Sequence, residues 1–166
     1  HPNSLGVLGV EASTGSLGHG FPFAAGLALG QKILKKKNKV ITLIGDGECN
    51  EGSVWETFLI GAHNNLDNLT CIIDYNKSGD RALKIDSLKD KIASFGWETE
   101  VIDGHNQLKI FDALKKKSKK PRAIIAQTTK GKYLKIMENN PEWHHKTLDK
   151  KNYQNLMKEI NEKSIY

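Results

Sequence analysis

The stretch from residue 39 to residue 79, KVITLIGDGECNEGSVWETFLIGAHNNLDNLTCIIDYNKSG, limits the possible fold more than any other part of the chain. An apolar run at 40–44 stops abruptly at Gly45-Asp46-Gly47, and a second at 69–73 stops at Asp74-Tyr75-Asn76. Between them Val54, Trp55, Phe58, Leu59 and Ala62 recur at the spacing of one helical face. Strand, helix and strand in that order make a βαβ unit with a parallel pair. Ligands of parallel sheets bind beyond the carboxyl ends of the strands, so Asp46 and Asn76 are expected to meet there. One carboxylate, one amide oxygen and bare backbone between glycines suit a hard cation that carries a diphosphate.

The rest of the pattern repeats the alternation. Helices are expected over 21–34, 88–95, 107–117 and 148–163, and strands over 99–102 and 123–126, with loops over 3–20, 77–87 and 129–147. Alternating strands and helices argue an α/β fold, and 166 residues suffice for one domain with a substantial core. The helix at 21–34, with Ala24, Ala25, Gly26, Ala28 and Gly30, reads as buried and closely packed. Residues 148–166 read as a terminal helix of the same domain. No apolar run approaches a membrane span and no signal peptide precedes the fold, so no membrane partner is expected. Cys49 and Cys71 lack metal-type spacing and read as reduced thiols of a cytoplasmic protein.

A net charge of +6 invites a nucleic-acid reading. The lysines, however, gather at 35–37, at 115–117 with Lys119 and Lys120, and at 150–151, and no aromatic side chains interleave to stack bases. Two of these clusters fall at expected helix C-termini, where cations complement the dipole. A solvated surface with some affinity for anionic sugar phosphates follows, with no nucleic-acid partner.

Taken singly, the candidate residues have plain readings. Asp46 and Asn76 are each common turn residues; together, at equivalent strand ends, they make a Mg²⁺ or Ca²⁺ site the better explanation. The loop Gly15-Ser16-Leu17-Gly18-His19-Gly20 is either simple turn chemistry or an anion cradle at the next helix N-terminus. No G-x-G-x-x-G dinucleotide fingerprint occurs in either Gly-rich stretch. Glu51 and Glu56 place negative charge near a helix start.

Gly45-Asp46-Gly47 followed by Asn76 resembles the thiamine diphosphate motif. His1-Pro2, Gly9-Val10-Glu11, residues 14–20, Gly96-Trp97, Asp103-Gly104-His105, Lys130-Gly131 and Trp143-His144 come in family order and resemble the N-terminal, diphosphate-binding portion of transketolase over residues 1–147. The resemblance implies a three-layer, mostly parallel sheet with helices on both faces, the diphosphate-side (PP-type) module of the thiamine diphosphate-binding fold. It implies that residues 1–166 form one such domain lacking an N-terminal segment, since the family histidine matching His1 follows several helices. By the same resemblance Asp46, Asn76 and the Ser78 carbonyl ligate Mg²⁺ (or Ca²⁺). Gly45, Asp46, Gly47 and Asn76 hold the diphosphate side of thiamine diphosphate, while Gly15 and Leu17 face its rings. His1 and His144 face substrate as catalytic residues, and Glu51 and Glu56 lie in an acidic network at a dimer interface. Ser16, His19 and His145 depart from the commoner proline, glutamine and glycine.

The implied activity is transfer of a two-carbon ketol unit between sugar phosphates. The family's activating glutamate sits in a separate pyrimidine-binding domain, for which this chain has no room. A pyrimidine-domain subunit is therefore the expected partner, in a heterotetramer or around a homodimer core. The alternatives are another thiamine diphosphate carboligase, either deoxyxylulose-phosphate synthase-like or specialised for sugar biosynthesis, and a binding module without catalysis.

Overall fold

The computed structural model of the chain describes residues 3–162. The chain divides into two compact units, His1–Thr128 and Thr129–Tyr166. The first is the α/β body. In chain order it holds α1 (Gly20–Ile33), β1 (Val40–Gly45), α2 (Gly52–His63), β2 (Leu69–Tyr75), α3 (Leu88–Ser94), β3 (Glu98–Asp103), α4 (Gln107–Lys115) and β4 (Arg122–Gln127). The strands form a parallel sheet in the order β1-β2-β4-β3. Gly45 pairs with Asp74 and Tyr75 with Gln127, so the turns after β1, β2 and β4 leave from one edge.

Side chains alternate between the two faces of each strand. On one face Ile44, Cys71, Ile73, Ala123 and Ile125 join Phe21, Ala25 and Ala28 of α1, Val54 and Phe58 of α2, and Leu88 and Ile92 of α3 in a single buried cluster. At its centre three aromatic rings meet edge to face, Phe21–Phe58 at 4.8 Å and Phe58–Trp97 at 4.9 Å between centroids. The Trp97 indole N–H donates to the Phe58 carbonyl at 2.7 Å, which satisfies its one polar group in the core. On the other face Ile102, Ile124 and Ala126 pack with Ala113 of α4, flanked by Ile72, Ile110 and Leu114. Helices on both faces of a parallel sheet give the three-layer α/β architecture expected from the sequence. Strand β1 departs from it: Ile41 and Leu43 alternate away from the main core and stand 54% and 68% exposed.

Two expectations need correction. The helix at 21–34 is buried on one side only. α1 buries Phe21, Ala24, Ala25 and Ala28, while Phe23, Leu27 and Ile33 are exposed. A helix that is apolar all round does not reveal in sequence which side faces the core. In α2, Leu59 points outward at 58% exposure, and Thr57 and Gly61 are buried beside Val54 and Phe58 instead. Gly61 is there to admit Trp97, whose ring would lie 2.6 Å from any added Cβ. Thr57 is tolerated because its hydroxyl donates to the Ser53 carbonyl at 2.7 Å.

The second unit holds, among the described residues, a 3₁₀ turn, Pro141–His144, within the expected loop, and then α5 (Lys150–Glu162). The Asn140 side chain caps the turn by accepting from the Glu142 amide at 3.1 Å. Among the described residues no helix is long and apolar enough to cross a membrane.

Candidate cofactor site

β1 ends at Gly45, and a short 3₁₀ turn, Asp46–Asn50, carries the chain into α2. That turn buries the Asp46 carboxylate to 6% exposure. One of its oxygens, Oδ1, accepts from the Gly79 amide at 3.1 Å, whereas Oδ2 is buried and has no hydrogen-bond partner. Burial pushes the carboxyl group up from its ordinary range, with neighbouring backbone amides, that of Gly79 foremost, opposing the shift. A desolvated carboxylate with an unused oxygen is a group that gains from a cation.

The second loop is drawn against the first by backbone contact. A Cβ at Gly79 would lie 2.9 Å from the Asp46 carbonyl carbon and from Gly47 N and Cα. Side-chain space must be absent there for the two turns to touch. Asn50 completes the seam by donating to the Gly79 carbonyl at 3.2 Å. At Gly45 and Gly47 no such crowding occurs: nothing lies within 4 Å of an added Cβ at the first, and only Gly79 Cα at 3.9 Å at the second.

Asn76 is fixed by its neighbours. Its Nδ2 donates to Asp74 Oδ2 at 3.2 Å, and its Oδ1 accepts from the Ser78 amide at 3.0 Å. The other Asp74 oxygen accepts from the Thr128 hydroxyl. Asp46 and Asn76 thus accept from consecutive amides, those of Gly79 and Ser78, which brings the two oxygens expected from the sequence onto one loop segment. Asp74 and Thr128 are additions that the structure makes. The Asp74-x-Asn76 spacing, which points both side chains to one side of a strand, is the signal in the sequence that marks the first of them.

The Gly-rich loop at 15–20 joins this edge through Glu48, a further residue that the sequence does not single out. Glu48 accepts from the Gly18 amide at 3.0 Å with Oε2 and from the Gly45 amide at 3.2 Å with Oε1. Leu17, next to Gly18, is 55% exposed. Glu51, the residue before α2, is half-buried and Glu56 is exposed. His1 lies outside the described residues. His144 belongs to the second unit, where its Nδ1 is 2.9 Å from Lys130 Nζ and its ring meets that of His145 edge to face at 4.5 Å. The Lys130 charge lowers the His144 pKa from its ordinary value.

Cys49 and Cys71 are buried free thiols. Burial pushes Cys49 up to about 12 and Cys71 well above its usual value. Beside the motif turn lies an open pocket of about 460 Å³ whose lining includes Cys49 and Asn50 of the turn with Trp55, Leu83, Ile85 and Phe95. None of Asp46, Asn76, Gly15 or Leu17 lines it.

Comparison with known proteins shows the family of the chain. The family model described as transketolase, thiamine diphosphate binding domain, matches residues 1–163. The chain is 35% identical over 171 residues to the A-subunit of apulose-4-phosphate transketolase from Phocaeicola vulgatus, a match covering 98% of this chain and 60% of that protein. It is 42% identical over 153 residues to the protein of the same name from Actinobacillus succinogenes, covering 88% of this chain and 55% of that one. The crystal structure of transketolase from Campylobacter jejuni superposes with a TM-score of 0.84 at 30% identity, over 95% of this chain and 26% of that one. The chain therefore spans little more than half the length of the first two relatives, and a smaller share of the full transketolase.

Proposed function

Since this chain belongs to the transketolase family through its thiamine diphosphate-binding domain, we propose that it serves as the N-terminal, diphosphate-side part of a thiamine diphosphate- and Mg²⁺-dependent transketolase. In this reading it moves a two-carbon ketol unit between sugar phosphates together with a separate pyrimidine-domain subunit. The observation that carries the reading is the buried, unpartnered Oδ2 of Asp46 beside the Gly47–Gly79 backbone seam. Among the described residues no three His, Cys, Asp or Glu side chains converge on a metal site. An ion held by Asp46, Asn76 Oδ1 and the Ser78 carbonyl would take the rest of its shell from phosphate and water, as Mg²⁺ usually does.

When bound, thiamine diphosphate supplies the nucleophilic carbon that carries the two-carbon unit. The chain's own work is to hold and orient. Asp46 contributes the full negative charge, Asn76 a neutral oxygen aimed by Asp74, and the open backbone at Gly45 and Gly47 lets a diphosphate come close. Leu17 and Gly15 are assigned to the ring side. His1 and His144 are assigned to substrate, and the Lys130 charge disfavours the charged form of His144.

The names of the two A-subunit relatives support a separate partner. So does the surface of the first unit. Phe23 and Leu27 of α1 and Leu59 and Ile60 of α2 are exposed apolar side chains on helices that pack together, at 49%, 38%, 58% and 50%. Such a surface suits a protein interface, with Glu51 and Glu56 at the start of α2 as its acidic members. The test is a calorimetric titration of thiamine diphosphate with and without Mg²⁺, followed by a ketol-transfer assay with and without the partner subunit. Metal-independent binding, or full turnover by the chain alone, would overturn the assignment.

A further inference from the structure

We infer that Glu48 is a positioning residue that locks the ring-side loop to the diphosphate-side turn, and so sets the distance between the two halves of the cofactor site; the inference rests on the function proposed above. The geometry is specific. Glu48 uses both carboxylate oxygens on backbone amides from two separate segments, Gly18 in the 15–20 loop and Gly45 at the end of β1. The Gly18 peptide is held from its other side as well, because the Ser53 hydroxyl donates to the Gly18 carbonyl at 2.7 Å.

Gly18 has a φ of +70°, and an added Cβ would lie 2.5 Å from Ser53 Oγ and 2.7 Å from Glu51 Cβ. The loop therefore sits directly on the turn and on the first turn of α2. Gly18 works as a rivet whose N–H and C=O are each gripped by a side chain. Leu17 and Gly15, the residues assigned to the cofactor rings, lie one and three positions before it. Beyond the rivet the loop has local bonds, His19 N to the Ser16 carbonyl at 3.3 Å and His19 Nδ1 with the Leu17 carbonyl at 2.9 Å. Those bonds shape the loop, while Glu48 holds it to the metal-side turn and Ser53 to the start of α2.

A ligand that touches only the metal-side turn does not depend on this lock. A ligand that spans both segments does, because a free loop must be ordered before it can contact the rings. Thiamine diphosphate and inorganic diphosphate thus become probes of different parts of the same site. Glu48→Gln keeps size and shape but turns one acceptor into a donor that faces an amide N–H. Amide bonds to a carboxylate are of the stronger class. Loss of one of them, with the other weakened to a neutral acceptor, is expected to weaken thiamine diphosphate binding about ten- to a hundredfold.

The experiment is carried out on the protein as purified with any subunit that accompanies it. Thiamine diphosphate with Mg²⁺ and inorganic diphosphate with Mg²⁺ are titrated into wild type, Glu48→Gln and Ser53→Ala. Amide hydrogen exchange at Gly18 is followed in the same proteins without ligand. The expected result for Glu48→Gln is weaker thiamine diphosphate binding, a clearly smaller loss for inorganic diphosphate, and faster exchange at Gly18. Ser53→Ala is expected to shift the same readouts in the same direction by less, and it keeps the test open if Glu48→Gln fails to fold. Unchanged thiamine diphosphate affinity would overturn the inference. Equal weakening of both ligands would also overturn it, since Glu48 would then only support the turn. If wild type binds neither ligand, the function proposed above fails, and the hydrogen exchange shows separately whether the lock exists.

Discussion

The Gly79 amide donates to Asp46 Oδ1 at 3.1 Å across the gap between the β1 and β2 turns, and leaves Asp46 Oδ2 buried without a partner. One oxygen fixes the carboxylate in place while the other remains unsatisfied. Both facts bear on how the protein responds to pH and to metal.

Burial raises the Asp46 carboxyl pKa on folding from its ordinary 3.8, so the folded state holds that proton more tightly than the unfolded state. The contribution of Asp46 to stability is then full below the ordinary value and is lost as pH rises through the folded one. Without metal, Asp46→Asn is expected to stabilise the protein at neutral pH and to have little effect at pH 3. With Mg²⁺ and thiamine diphosphate present, the same variant is expected to lose the ligand-induced gain in Tm. Melting curves of both proteins at the two pH values check this; a stability difference that does not grow with pH would refute it.

Gly79→Ala forces a methyl group against backbone atoms of Asp46 and Gly47 that no side-chain rotation can move. Overpacking of this kind costs about 1–3 kcal/mol. The two turns are expected to separate, lowering Tm by several degrees and weakening thiamine diphosphate binding by roughly tenfold or more. Calorimetry on the variant decides it, with wild-type affinity counting against the seam.

The same substitution in two neighbouring helices should act in opposite directions. Nothing lies within 4 Å of an added Cβ at Gly26 in α1, whereas Trp97 lies 2.6 Å from one at Gly61 in α2. Ala is favoured over Gly in a helix by about 1 kcal/mol, so Gly26→Ala is expected to stabilise by that amount. At Gly61 the clash with a buried indole outweighs the propensity, and Gly61→Ala is expected to destabilise by about 1–2 kcal/mol net. Urea denaturation of the two variants gives the signs directly.

The sheet and half of the candidate site are legible in the sequence because local chemistry specifies them. Apolar runs ending at Gly-Asp-Gly and Asp-Tyr-Asn locate β1, β2, Asp46 and Asn76, since a strand that is buried on a parallel sheet must be apolar and its terminal turn must not be. The contacts of Glu48 and Thr128 are hidden because each depends on a residue brought near by folding: Gly18 lies thirty positions from Glu48, and Asp74 fifty-four from Thr128. Leu59 misleads for a similar reason. Helical spacing assigns it to the core, but the space taken by Trp97 rotates Gly61 and Thr57 inward instead. For α1 the apolar residues run all round, and no periodicity exists to show which side is covered.

His144 provides a test within the second unit. Lys130, 2.9 Å away, disfavours the charged imidazole. Lys130→Met should move the His144 titration midpoint up towards its ordinary value of 6.5, followed by its ring proton resonances in an NMR pH series. His144→Ala is expected to leave thermal stability unchanged and to lower turnover of the reconstituted protein. Wild-type turnover in that variant would return His144 to an ordinary surface residue.

The two cysteines have a practical consequence. Thiolate, not thiol, reacts with alkylating and disulfide reagents. With Cys49 up at about 12, Cys71 well above its usual value and neither reaching solvent, the native chain is expected to be silent towards maleimides at neutral pH. A single cysteine placed at exposed Leu27 or Leu59 would then be the only nucleophilic sulfur on the folded protein. A dye attached there would report on whatever settles over α1 and α2, without first removing the native thiols.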